Sequence, residues 1–94
     1  MPPLSIEFSP RFKAQSHALP AERQKLVGHA VAALSDAFGK PHLHSGLAIR
    51  RLKRDYFEFR ADRDTRMVFK LEGSTASLIF VGSHDDLQRF IKNL

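Results

Sequence analysis

The apolar residues of this chain recur with a helical period up to Phe38 and with a period of two from Leu47 onward, and this single switch restricts the fold more than any other feature. Val27, Val31, Leu34 and Phe38 are spaced four, three and four apart. Leu26, Ala30 and Ala33 widen that stripe, so the spacing predicts a helix from about Pro20 to Phe38 with one face turned to a core. Pro20 suits a helix start, Glu22 suits the first turn, and Gly39-Lys40-Pro41 ends the pattern. Before it, Leu4 to Phe8 alternates like a strand until Pro10, and Arg11 to Ser16 reads as a short helix.

Beyond a loop at His42 to Gly46 the side chains alternate. Leu47, Ile49 and Leu52 begin a strand or its approach. In Tyr56 to Arg60, Phe57 and Phe59 point one way while Tyr56, Glu58 and Arg60 point the other. In Arg66 to Leu71, Met67, Phe69 and Leu71 face a core and Arg66, Val68 and Lys70 face away. Glu72-Gly73-Ser74-Thr75 supplies a hairpin into Ala76 to Val81, whose nearly continuous apolar run suits a central strand. Gly82-Ser83 closes the sheet. Ser83 then caps a last helix with Asp86 three residues on and Leu87, Phe90, Ile91 and Leu94 as its stripe. This order implies one α+β domain over residues 1–94: an antiparallel sheet with N-terminal helices packed on one face, a short C-terminal helix, and the other face open.

That open face is cationic. Residues 47 to 70 carry eight basic groups (Arg50, Arg51, Lys53, Arg54, Arg60, Arg63, Arg66, Lys70) against four acidic ones (Asp55, Glu58, Asp62, Asp64), a net of +4 in a chain of net +5. A block of this kind is either a solvated face or an attractor of polyanions such as RNA. The chain has no cysteine, no apolar run near the length that crosses a bilayer, and no secretion-signal pattern in Met1-Pro2-Pro3-Leu4, which together fit the cytoplasm.

Glycine-rich phosphate loops, zinc-protease helices and nucleophile elbows are missing from the sequence. His42 and His44 have no carboxylate beside them and read as loop histidines, and His17 and His29 as solvent-facing helix residues, so no metal is expected. His84 differs, standing just after the last strand, at the first turn of a helix and at the edge of the face that holds Arg60 and Arg66. Metal-free RNA cleavage needs a 2′-hydroxyl to be oriented and deprotonated, charge on the phosphorane to be stabilised, and the leaving 5′-oxygen to be protonated. Arg60 and Arg66 suit the second task, His84 the last, and Asp64 or Glu58 the base. The plainer alternative for both carboxylates is pairing with neighbouring arginines, and for His84 it is shaping the helix start.

Leu52-Lys53-Arg54-Asp55-Tyr56-Phe57-Glu58-Phe59-Arg60, then Arg66-Met67-Val68-Phe69, then Phe80-Val81-Gly82-Ser83-His84-Asp85-Asp86-Leu87, taken in that order, resemble the RelE/ParE superfamily of toxins of bacterial type II toxin-antitoxin systems. The resemblance spans nearly the whole chain and is nearest to the YafQ/RelE-like mRNA interferase branch. It implies a RelE-like, microbial-ribonuclease-like fold. It further implies a ribosome-dependent endoribonuclease that inhibits translation by cutting mRNA in the 30S A site, without a cofactor, and a cognate antitoxin protein as partner. Carried over residue by residue, it makes His84 the proton donor and Asp64 a contributor, with Arg60 where the branch has a strand histidine and His44 as counterpart of a further loop histidine. Lys53, Arg54, Arg51, Arg63 and Lys70 would join His44 in holding RNA. Two other readings stay open on the sequence: a ParE-like inhibitor of DNA gyrase that cleaves nothing, and an inactive nucleic-acid-binding module.

Overall fold

The computed structural model describes residues 4–38 and 46–94, so the expected loop histidines His42 and His44 lie outside the described residues. Strand β1 (Ser5–Phe8) is followed by helices α1 (Pro10–His17) and α2 (Ala21–Ala37), strands β2 (Arg50–Lys53), β3 (Tyr56–Arg60), β4 (Thr65–Glu72) and β5 (Thr75–Ser83), and helix α3 (His84–Ile91). The side chain of Ser9 starts α1 by accepting the N–H of Phe12 at 3.1 Å, with Pro10 at a position that needs no hydrogen bond. Gln24 donates to the carbonyl of Leu19 at 2.8 Å and fixes the corner between the two helices.

The sheet order is β1-β5-β4-β3-β2. It is mixed rather than wholly antiparallel, because β1 runs parallel to β5, with Ser5 beside Thr75 and Phe8 beside Leu78. A parallel pair needs a long crossover, and the helices with the rest of the sheet supply it. Its apolar run suits a central strand; β5 is interior, flanked by β1 and β4, while β4 holds the middle of the sheet. Helices α1 and α2 cover one face. Phe12, Val27, Ala30, Val31, Leu34 and Ala37 pack there against Phe57, Phe59, Met67, Phe69, Ala76, Leu78 and Val81. The Phe57 and Phe69 rings stack at 5.3 Å, and Phe38 meets Phe57 edge-on at 5.4 Å. The helix stripe runs through Ala37, while Ala33 is exposed and Leu26 is 38% exposed, so those two lie outside it.

The second face is not open along its length. Leu87 of α3 is fully buried over Val68 and Phe80, with Leu52, Tyr56, Phe90 and Ile91 around it. Burial of one such leucine contributes about 2 kcal/mol, enough to hold a two-turn helix that would not persist alone. Ser83 and Asp86 form the expected capping box: Asp86 N–H donates to the Ser83 hydroxyl at 3.1 Å and Ser83 N–H donates to Asp86 at 3.2 Å. What α3 leaves uncovered is the end of this face beside its own first turn. No helix among the described residues is long and apolar enough to cross a membrane.

Candidate active site

Two irregularities in the ladder decide which side chains meet at that end. The Arg54-Asp55 turn puts Lys53 opposite Tyr56, and a regular hairpin would then set Arg51 opposite Glu58. A bulge between Arg51 and Lys53 shifts the register, so Arg50 faces Glu58 and Arg51 moves to the row of Phe57. A second irregularity in the β4–β5 ladder, between Val68 and Phe69, sets Gly82 beside Arg66 and Phe80 beside Val68. One row of the face therefore reads Arg60, Arg66, Gly82, and the next reads Arg50, Glu58, Val68, Phe80.

A depression of about 280 Å³ opens there, lined by Ala48, Arg50, Glu58, Arg66 and His84. Glu58 is only 6% exposed. Arg50 closes over it from the solvent side, with Nε and Nη2 both directed at the same oxygen, Oε1. A carboxyl group this buried is costly to leave without such a partner. Among the described residues Arg66 has no carboxylate partner, and its Nε is buried without an acceptor. Arg60 stands directly opposite Arg66, and like charges in that position repel. Two half-buried arginines side by side, neither with a carboxylate partner among the described residues, form a place that an anion would complete. His84 is the first residue of α3 and is exposed at the rim. Ala48, just before β2, has φ of 51°, a left-handed conformation that turns the chain into the strand beside the depression.

The expected site residues divide. His84 and Arg66 line the depression, and Arg60 adjoins it in the row of Arg66 without lining it. Asp64 sits exposed on the β3–β4 turn, outside the lining. Its neighbour Asp62 organises that turn, accepting the N–H groups of Asp64 at 2.8 Å and Thr65 at 2.7 Å. Partial burial raises the Asp62 pKa, and those hydrogen bonds, with help from the Arg23 charge, outweigh it, so the carboxyl titrates below its ordinary 3.8. Asp86 is lowered too, chiefly by its bonds to Ser83 and then by Arg89. It serves the helix cap and pairs with Arg89.

The expected RNA-binding set disperses further. Arg51 lies over the Phe57 ring at 5.2 Å, on the helix-covered side. Lys53 donates to the carbonyl of Leu94 at 3.1 Å, Lys70 pairs with Glu72 at 3.6 Å, and Arg54 forms the β2–β3 turn with φ of 47°. These last three are at the other end of β3, around Tyr56, two residues or roughly 7 Å along the strand from Glu58. Arg63 is exposed on the β3–β4 turn at the near end, and His44 is outside the described residues. Arg50 was the residue missed. No sequence signal singles it out from Arg51, because only the bulge reverses which of the two faces Glu58.

No family model matches the chain, and no curated protein matches its sequence. Solved structures match it. A chain of the RelB-RelE antitoxin-toxin complex from Methanococcus jannaschii superposes with a TM-score of 0.68 at 15% identity, over 89% of this chain and 96% of that one. A chain of the E. coli DinJ-YafQ toxin-antitoxin complex gives 0.64 at 17% identity, over 89% and 96%. The conserved hypothetical protein HP0892 from Helicobacter pylori gives 0.57 at 26% identity, over 89% and 98%. With a five-stranded sheet, two helices on one face and a third beside the depression, the chain has the RelE-like toxin fold.

Proposed function

We propose that this chain is the toxin of a type II toxin-antitoxin pair, a cytoplasmic endoribonuclease that cuts mRNA on the ribosome and is neutralised by a cognate antitoxin. The fold supports the toxin reading, since the RelE and YafQ structures were solved in complexes with RelB and DinJ. The nuclease reading is carried by one observation, the convergence of Glu58, Arg50, Arg66 and His84 on a single depression.

The scissile phosphate sits against Arg66, with Arg60 beside it, and draws the exposed Arg50 guanidinium toward itself. Glu58, relieved of part of that pairing, accepts the 2′-hydroxyl proton. The 2′-oxygen forms its bond to phosphorus, and the negative charge that builds on the phosphorane falls beside the two arginines. The bond from phosphorus to the 5′-oxygen breaks as His84 hands that oxygen a proton. The products are a 2′,3′-cyclic phosphate and a 5′-hydroxyl end, and water returns the proton from Glu58 to His84. The base is assigned to Glu58 rather than Asp64 because Glu58 lines the depression and Asp64 does not.

Inducible expression with mapping of RNA 5′ ends tests this reading. Wild type is expected to arrest growth and create new mRNA ends within coding regions, while His84→Ala and Arg66→Ala create none and co-expression of the antitoxin restores growth. Arrest with intact mRNA and damaged DNA would replace the nuclease with a gyrase inhibitor.

A further inference from the structure

A second hollow, of about 850 Å³, lies apart from the depression above: a groove between α1 and α3, running around the end of β5. Its floor is apolar and partly aromatic: Leu19, Phe80, Val81 and Phe90 line it, and the rings of Phe80 and Phe90 stack at 4.8 Å. Three arginines, Arg11, Arg23 and Arg89, stand along it. Arg89 is paired with Asp86, the one carboxylate in the lining, and Arg23 lies near enough to Asp62 to help lower that carboxyl. Arg11 has no carboxylate partner among the described residues, and its guanidinium carbon lies 5.8 Å from the Phe90 ring centre. The groove is held open from within. β1 leaves the edge of β5 at Leu78, and Gln15 of α1 takes up the N–H of Val81 at 3.0 Å in place of a neighbouring strand.

The groove and the depression are neighbours: Gly82 of the groove lining pairs across the ladder with Arg66 of the depression, and Ser83 of the groove precedes His84 of the depression. A strand of nucleic acid whose scissile phosphate rests at Arg66 can therefore continue over Gly82 and Ser83 without crossing a helix. Phe80 is buried beneath Phe90, which is half-buried, so cations along the groove and the Phe90 ring suit a single strand, phosphates meeting the arginines and a base the ring.

We propose that this groove binds single-stranded RNA next to the cleavage site, with Arg11 and Arg23 holding phosphates. This inference rests on the reading of the chain as an RNA-cleaving protein and adds the path of the substrate. Two RNA sources share this chemistry, the mRNA flanking the cut and exposed ribosomal RNA.

Binding of fluorescein-labelled 12-nucleotide single-stranded RNA of mixed sequence, followed by anisotropy in the His84→Ala background, tests the groove without turnover. The Arg11→Ala/Arg23→Ala double variant is expected to bind about tenfold more weakly, and its dependence of log affinity on log salt to flatten by about 1.4, the share of two phosphate contacts. Lys13→Ala, exposed on α1 outside the groove, is expected to match the background protein. Both arginines lie on helices and alanine favours helix, so thermal melts should confirm that the fold is kept. An unchanged affinity and salt slope in the double variant would overturn the inference and leave the groove to a protein partner, as would an equal loss in Lys13→Ala. Binding to mRNA-free ribosomes separates the sources: a loss there points to ribosomal RNA, and a loss confined to the 12-mer points to mRNA. If wild type bound the 12-mer through the groove but cut no RNA on ribosomes, the cleavage reading would fall and the groove would stand.

Discussion

Glu58 is buried in a sheet face, and its carboxyl group is paired from outside with an arginine whose side chain is 64% exposed. Arg50 can leave toward solvent or substrate with little repacking, whereas Glu58 cannot move. Removing the arginine strands the carboxylate, so Arg50→Ala should lower the unfolding free energy by about 1–2 kcal/mol in urea titration, less than for a pair buried on both sides. Arg51→Ala, one residue along but facing Phe57, should cost under about 1 kcal/mol, the size of an exposed cation-ring contact, and should leave cleavage intact. Equal effects from the two would contradict the register on which the site depends. The same pair shows what a sequence can carry. Glu58 facing away from Phe57 and Phe59 follows from alternation, but which neighbour faces it depends on a bulge, and nothing in Arg50-Arg51-Leu52-Lys53 announces one.

At the scale of elements, α3 does two jobs. Its apolar stripe seals Val68 and Phe80, and its first residue is His84. The cap that starts it therefore also sets the histidine. Ser83→Ala should cost about 1 kcal/mol of stability and reduce cleavage more than that loss explains, because the first turn frays at His84. Gly82 offers a sharper probe. A Cβ there would lie 2.9 Å from the end of the Phe80 ring and 3.2 Å from Asp86, so Gly82→Ala should shift the ring and the helix start together, costing roughly 1–3 kcal/mol in thermal or chemical unfolding. The capping box, the α2 stripe and the interior β5 run were all legible, since each is a local pattern. That α3 crosses to the other face was not, because a stripe tells that a helix is buried and not against what. The parallel pairing of β1 is likewise a property of the whole sheet.

For the whole molecule, charge governs both stability and binding. Asp62 and Asp86 both titrate below their ordinary 3.8 in the folded chain. A depressed carboxyl contributes stability that is complete above its unfolded value and disappears as pH falls through the folded one. Stability should therefore hold at neutral pH and decline from about pH 4 downward, with Asp86→Asn showing a shallower decline. The basic excess that drew attention in the sequence spreads over both faces and both ends of the sheet, and only Arg50, Arg60 and Arg66 gather near His84. On the proposed reading, net charge brings RNA to the protein, while the fold selects which cations reach the scissile bond. In the proposed reaction His84 protonates the leaving 5′-oxygen. Single-turnover cleavage of ribosome-bound mRNA carrying either the natural 5′-oxygen or a 5′-bridging sulfur at the cut site tests it directly, because sulfur departs without a proton. His84→Ala should slow the oxygen substrate by about 10²–10⁴-fold and the sulfur substrate little. Equal slowing of both substrates would contradict the account.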